Sequence, residues 1–132
     1  MPEHQPIYSP YYEGTTYQYG FAYIGEATPE EQEYADGPYA FPSLDEQRRR
    51  IAETALREHV IVVEEFIDTY REDPLYERPA LLELLTAWGN RPPTRLYLGD
   101  ERVLKERSGE HFQLQADLGR GRLWDPITVA ED

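Results

Sequence analysis

The first 42 residues contain no leucine and no valine, and their only isoleucines are Ile7 and Ile24. A segment with so little aliphatic surface cannot bury enough apolar area to fold on its own. The aliphatic residues are concentrated after Pro42, and 132 residues in total suit one domain. The sequence therefore predicts an extended arm, residues 1–42, followed by a single folded body, residues 43–132.

The predicted arm is also acidic and rich in tyrosine. It holds eight of the 11 tyrosines, and up to Gln47 the chain has nine acidic residues and no Lys or Arg. The whole chain carries 26 acidic and 13 basic residues, a formal net charge of −13. Such a charge gives no electrostatic reason to bind nucleic acid or an anionic membrane directly. It favours a protein partner with a basic surface.

Alternating side chains within the arm predict a β-strand with one aromatic face. Tyr17, Tyr19, Phe21 and Tyr23 share that face. Tyrosine is enriched at protein interfaces, so we expect these four side chains to anchor a partner. We expect Glu30, Glu31 and Glu33 to meet basic groups on the same partner. The sequence Thr28-Pro29-Glu30-Glu31 also suits the capped start of a short helical turn. The competing interpretation of the segment is disorder, because its composition is also typical of unfolded chains.

Two helices are predicted at the start of the body. Ser43 and Glu46 have the spacing of a capping box, and apolar residues then recur at helical intervals up to Asp73-Pro74, which predicts a helix over about 44–72. The β-branched run Val60–Val63 is the weak point of this helix, since it also suits a buried strand. A second helix is predicted over 79–88, opened by Pro79 and closed by Gly89.

After Thr94 the period of the hydrophobic pattern changes to two. The predicted strands lie within 94–129: Arg95–Leu98, Arg102–Arg107, Glu110–Asp117, Arg122–Trp124 and Ile127–Val129. Short turns between them favour antiparallel neighbours. The predicted fold class is α+β, with one long and one short helix packed on a small antiparallel β-meander and an extended tyrosine-rich N-terminal arm.

Side chains that could carry chemistry are present but lack the spacing that chemistry needs. Leu56 lies three residues before His59, and Val63 lies four after it, so the helical Glu-x-x-His and His-x-x-x-His patterns of metal sites are missing. Glu64, Glu65 and Asp68 are expected to be solvated charges. The chain has no cysteine, so thiolate chemistry is excluded. We predict no catalytic residue, no metal and no cofactor.

A polar row on the predicted strand 110–117 suits either the solvated side of a sheet or a small binding surface. The row consists of His111, Gln113, Gln115 and Asp117, and the opposite face of the predicted strand carries Phe112, Leu114 and Ala116. The solvated side is the expected reading, because antiparallel sheets commonly have one wet face.

The sequence thus favours a non-enzymatic protein, a structural or accessory subunit of a larger assembly that docks through its acidic aromatic arm. Self-association is one form of this partnership. The first alternative is an acidic inhibitor that mimics nucleic acid, and the second is a small enzyme that uses carboxylates with His59 or His111. No secretory signal and no run of 18 apolar residues is seen, so a cytoplasmic or virion location is expected, with no membrane or small-molecule partner.

Overall fold

The computed structural model describes residues 18–33, 37, 40–104 and 109–131. The strands are β1 (Gln18–Gly25), β2 (Val60–Asp68), β3 (Arg95–Leu98) and β4 (Ile127–Val129). The helices are α1 (Pro29–Gln32), α2 (Leu44–Glu58), α3 (Pro79–Asn90) and α4 (Glu110–Gly119), and Leu75–Glu77 and Glu101–Leu104 form short 3₁₀ helices.

All strand pairs in the sheet are parallel, in the order β2-β1-β3-β4. The predicted antiparallel meander is therefore wrong. Strands alternate with helices along the chain, and each crossover between parallel neighbours is made by a helix, as an α/β fold requires. The short turns that suggested hairpins belong instead to helix ends and to the 3₁₀ helix after β3.

The predicted helix over 44–72 is also wrong, because it is two elements. α2 ends at Glu58, and His59 adopts the left-handed conformation with φ 58°. The β-branched run that follows enters the sheet, where Val60 pairs with Gln18 and Val62 with Gly20. Branched side chains pack well on a pleated surface, and a left-handed residue ends a helix. Neither a glycine nor a proline marks the break.

The strand predicted over Glu110–Asp117 is the helix α4. Leu114 and Leu118, four residues apart, are buried, whereas Phe112 is 68% exposed. The alternation that suggested a strand placed Phe112 and Leu114 on one face, and the structure separates them. The first three residues of the predicted strand 102–107 lie in the 3₁₀ helix Glu101–Leu104, and residues 105–107 fall outside the described residues. The residues 122–124 do not form a strand.

Several local predictions are confirmed. The second helix runs over Pro79–Asn90, and the strands Arg95–Leu98 and Ile127–Val129 are present. Ser43 caps α2 by accepting a hydrogen bond from the amide of Glu46. Thr28 and Glu31 form a complete capping box at α1. Each of these confirmed elements has a capping residue, a proline or a glycine at one of its ends.

β1 lies inside the sheet, between β2 and β3. Residues 18–25 are therefore part of the folded body, and a chain that began at Ser43 would lack an inner strand. The alternating pattern in the sequence extends from Thr15 to Ile24, and the described strand begins at Gln18. Thr15 and Tyr17 lie outside the described residues.

Both faces of the sheet are covered. On one face, Phe21, Tyr23, Leu96 and Leu98 pack against α3 and α4. On the other, Ala22, Ile24 and Tyr97 pack against Ile51 and Ala55 of α2. Successive residues of β1 therefore contribute to two cores, which is why both of its faces are apolar.

Candidate functional site

The candidate site is the crevice beyond the carboxyl ends of β1 and β3. The connection from β1 runs through α2 on one face of the sheet, and that from β3 runs through α4 on the other. In open α/β sheets, ligands bind where neighbouring connections diverge in this way. The loops there begin at Glu26, after β1, and at Gly99, after β3.

The side chain of Gln47 fills one part of this crevice. Its Nε2 donates to the carbonyls of Gly25 (2.8 Å) and Pro42 (3.0 Å), and its Oε1 accepts from the amide of Gly25 (3.3 Å). A Cβ atom at Gly99 would lie 2.4 Å from the Cβ of Gln47. Glycine at this strand end thus leaves the space that the buried amide occupies.

Arg71 fills another part. Its Nε donates to the carbonyl of Glu26 (2.9 Å), its Nη1 to the carbonyl of Arg102 (2.9 Å), and its Nη2 to the carboxylate of Glu31. The side chain is 2% exposed. A Cβ atom at Gly25 would lie 2.1 Å from the Cδ of Arg71. One guanidinium therefore joins the loops after β1 and β3 and occupies the space between them.

Asp100 forms an ion pair with Arg102 in the loop after β3. Its carboxylate accepts from the amide (2.9 Å), the Nε (2.8 Å) and the Nη2 (3.0 Å) of Arg102, and Arg50 Nη1 lies 3.6 Å away. Burial alone would raise the pKa of Asp100, but the hydrogen bonds and charge of Arg102 outweigh it and hold the pKa below its ordinary value. Asp100 is thus an ionised partner and a poor proton acceptor.

An aromatic ring stacks against the same arginines. The guanidinium of Arg71 lies 4.3 Å from the centroid of Phe41, and that of Arg102 lies 4.9 Å from it. The planar guanidinium of arginine stacks favourably on the face of an aromatic ring. Phe41 therefore helps to hold both arginines in place.

A second buried polar cluster lies beneath the crevice. Arg78 is fully buried and donates to the carbonyls of Arg71 (2.6 Å), Val103 (2.7 Å) and Asp73 (2.9 Å). The Tyr23 hydroxyl donates to Asp68 Oδ2 at 2.7 Å, and burial raises the pKa of Tyr23 well above its ordinary value. These groups tie loops to strands, a structural task.

The two histidines considered for chemistry lie at the end of α2 and in the first turn of α4. His59 is the left-handed residue between α2 and β2, and the ring of His111 on α4 lies 3.9 Å from that of Phe112. Because 110–119 is helical, the predicted polar row of a strand does not exist, and Gln113 instead donates to Asp117, four residues on, at 2.9 Å. In the described part of the chain, no three His, Asp or Glu side chains are grouped so as to hold a metal ion.

The predicted partner anchors are distributed over both core and surface. Phe21 (5% exposed) and Tyr23 (0%) are core residues of β1, so in this fold they contact the protein itself. Tyr19 is 42% exposed, and Tyr17 lies outside the described residues. Glu30 and Glu33 are exposed on and beside α1, whereas Glu31 pairs with Arg71.

The buried polar residues of the crevice were missed by sequence reasoning. Gln47 and Arg71 both lay on the polar side of the helix predicted over 44–72. The available signal was two residue pairs at strand ends: Gly25-Glu26, of which Gly25 is the last residue of β1, and Gly99-Asp100, directly after β3. Those pairs indicate a shared edge only if β1 and β3 are recognised as parallel.

Comparison of the chain with protein-family models, curated proteins and solved structures gave no match in any of the three. Within the described ranges, none of the helices has the length and apolar character needed to cross a membrane. The case for function therefore depends on the geometry of this chain.

Proposed function

We propose that this protein is a non-enzymatic protein-binding domain that serves as an accessory subunit of a larger assembly. The observation that carries this proposal is the filled crevice. At the place where an α/β sheet ordinarily receives a ligand, Gln47 and Arg71 occupy the space beside Gly25 and Gly99. Their polar groups are used on the chain's own carbonyls and on Glu31.

The exposed side chains support a binding role. Tyr19 is well exposed at the start of β1, and Glu30 and Glu33 are exposed at the far end of the same stretch of chain. A tyrosine combines apolar area with a polar tip, and exposed carboxylates complement a basic partner. Of the seven side chains predicted to contact a partner, these three are both described and exposed.

The charge pattern of α2 does not favour the nucleic-acid mimic. Arg49 pairs with both Glu46 and Glu53, and Arg48 pairs with Asp45 at 3.1 Å. A mimic of a phosphate backbone needs carboxylates that stay unneutralised along a stripe. The acids of α2 are interleaved with arginines instead.

The proposal is tested by affinity capture with the full chain as bait, followed by mass spectrometry and by reconstitution with the captured protein. The bait variant is the triple substitution Tyr19→Ser, Glu30→Gln and Glu33→Gln. The matched control changes the same residue types at exposed positions elsewhere: Tyr70→Ser, Glu72→Gln and Glu77→Gln.

We expect a discrete partner in stoichiometric amount that survives high salt, because aromatic anchors are less screened than exposed charges. It should be weakened by the Tyr19 triple variant and retained by the Tyr70 control. A bait that retains nothing beyond a charge-matched unrelated protein would refute the proposal.

A further inference from the structure

β2 forms one edge of the sheet, and its strand neighbour among the described residues is β1. It is nine residues long, whereas β4, at the opposite edge, has three. The carbonyl of Asp68 accepts from the amide of Glu26, which follows β1, so the backbone groups of Asp68 point toward β1. Neighbouring residues of a strand direct these groups to opposite edges, and those of Ile67 therefore point outward. A long strand edge of this kind pairs readily with another extended segment.

The residues that precede β1 join the sheet beside the start of β2. β1 begins at Gln18, which pairs with Val60, the first residue of β2. Residues 1–17 lie outside the described residues. The outer edge of β2 is two strand spacings, about 10 Å, from β1. Four extended residues cover about 13 Å, so 14–17 suffice for the connection, and 1–13 exceed the nine residues of β2.

This short connection also sets the direction of pairing. β1 and β2 run parallel, so a segment that leaves the outer edge of β2 and turns directly into β1 must run antiparallel to β2. A parallel strand in that place would require a crossover of about a dozen residues before β1. The chain has a glycine at position 14, and glycine accommodates a tight turn without strain.

The prolines of this segment all occupy even-numbered positions. They are Pro2, Pro6 and Pro10, so in an extended segment their missing N–H groups would all lie along one edge. Proline is tolerated in a sheet on an edge strand, where its nitrogen faces solvent. The odd-numbered residues therefore keep the amide donors that pairing with β2 requires.

We propose that residues 1–13 form a strand antiparallel to β2, on the outer edge of the sheet in the same protein molecule. The odd-numbered residues from Glu3 to Tyr11 exchange hydrogen bonds with the outward-facing residues of β2, among them Ile67. The prolines lie at the new edge of the sheet, where the absence of N–H groups opposes addition of a strand from another chain. The occupant of this edge is the chain's own segment, and the inference does not depend on the proposed partner.

Hydrogen exchange in the full chain tests this pairing directly. The readout is the exchange rate of each assigned backbone amide in ¹⁵N-labelled protein, relative to its intrinsic rate. We expect the amides of Gln5, Ile7 and Ser9 to exchange about tenfold or more slowly than those of His4 and Tyr8, because the odd-numbered amides point at β2.

Proline substitution at two neighbouring positions provides matched variants. Ile7→Pro removes an amide that the proposal pairs with β2, whereas Tyr8→Pro removes one that faces solvent. Ile7→Ala and Tyr8→Ala control for the loss of each side chain. We expect Ile7→Pro to abolish the protection at Gln5 and Ser9 and to lower that at Ile67, and Tyr8→Pro to match Tyr8→Ala. Neither position lies in β1 to β4, so the protected amides of those strands report on folding.

The proposal is overturned if odd-numbered and even-numbered amides exchange at the same relative rate, or if Ile7→Pro and Tyr8→Pro have equal effects. Measurement at two protein concentrations about tenfold apart distinguishes the chain's own segment from that of a second copy. Protection that is independent of concentration supports pairing within one molecule. Protection that rises with concentration, together with a dimer in sedimentation, overturns the proposal and assigns the edge to a second copy.

Discussion

The hydroxyl of Tyr23 donates a 2.7 Å hydrogen bond to Oδ2 of Asp68, joining the inner strand β1 to the end of β2. The same carboxylate accepts from the amides of Ala80 (2.9 Å) and Leu81 (3.0 Å) in the first turn of α3. A helix N-terminus favours a negative charge, and its first amides have no partner within the helix. One buried carboxylate therefore fixes two strands and a helix relative to one another.

Removal of that carboxylate should be among the most damaging single changes. We expect Asp68→Ala to lower the free energy of unfolding by about 3 kcal/mol, because it leaves a buried hydroxyl and two helix amides without an acceptor. Asp68→Asn, which keeps one acceptor oxygen, should cost roughly half as much. Asp45→Ala, in the first turn of α2 and highly exposed, is the control and should cost about 0.5 kcal/mol. Urea unfolding measures all three, and equal losses at positions 68 and 45 would contradict the capping role.

Replacement of Gly25, the last residue of β1, by alanine should destabilise the protein. A Cβ at Gly25 would lie 2.1 Å from the Cδ of the buried Arg71, so Gly25→Ala must displace that side chain. We expect a loss of about 3 kcal/mol. At Gly89 in α3, nothing lies within 4 Å of the added atom, and Gly89→Ala should stabilise the protein by roughly 0.5–1 kcal/mol. If thermal unfolding shows both variants to be stabilised, the crevice is not filled as described.

The left-handed residue between α2 and β2 gives a third prediction. His59 has φ 58°, a conformation that glycine adopts without strain. His59→Gly should therefore raise the melting temperature by about 3 °C. The same substitution at His111, inside α4, should lower it, because glycine is a poor helix residue. Circular dichroism during heating distinguishes the two signs, and a drop at both positions would refute the role assigned to His59.

Two buried tyrosines should govern alkaline unfolding. Burial raises the pKa of Tyr23, and burial together with the hydrogen bond to Glu58 raises the pKa of Tyr97, both well above the ordinary value. The folded state holds these protons more tightly than the unfolded state. Stability is thus fully present below about pH 10 and falls as the pH rises further.

The matched test is Tyr23→Phe with Tyr97→Phe against the exposed Tyr70→Phe. The double variant should flatten the decline in unfolding free energy above about pH 10, and the control should not. Absorbance at 295 nm follows tyrosinate directly. Tyrosinate from positions 23 and 97 in the still-folded protein near pH 10 would contradict the prediction.

The local elements that sequence predicted well are those with explicit boundary residues. Thr28 and Ser43 cap helices as their spacing indicated, and Pro79 opens α3. Each signal is short-range: Thr28 and Ser43 accept a hydrogen bond from an amide three residues on, and Pro79 has no amide hydrogen that needs an acceptor. Such signals do not depend on which strands are neighbours.

The parallel sheet was not predicted because two segments were assigned the wrong hydrophobic period. The break at His59 has no glycine, so the predicted helix continues through Val60–Val63, which in the structure begin β2. The second error concerns α4, for which the alternation of Phe112, Leu114 and Ala116 predicts a strand. Together they hid one parallel strand and one crossover helix. With β2 and α4 restored, strands and helices alternate along the chain, which is the pattern of a parallel α/β sheet.

The candidate site could not be predicted without knowledge of tertiary contacts. Gln47 and Arg71 are polar, and a sequence pattern places such residues on a solvated face. Their burial depends on carbonyls and glycines from elements distant along the chain, at Gly25 and at Gly99. No local spacing indicates that relationship, and only the parallel pairing of β1 with β3 brings those strand ends together.

The most direct test of the account is whether the crevice accepts a ligand in solution. The measurement is a ¹⁵N spectrum of the full chain with millimolar mixtures of nucleotides, sugar phosphates, amino acids and dicarboxylic acids. The readouts are the amides of Gly25 and Gly99 and the Nε signal of Arg71. Because Gln47 and Arg71 fill the space beside both glycines, the account predicts that these signals stay in place. A saturable shift at Gly25 and Gly99, with a Kd below about 1 mM, would contradict it and make the crevice a binding site.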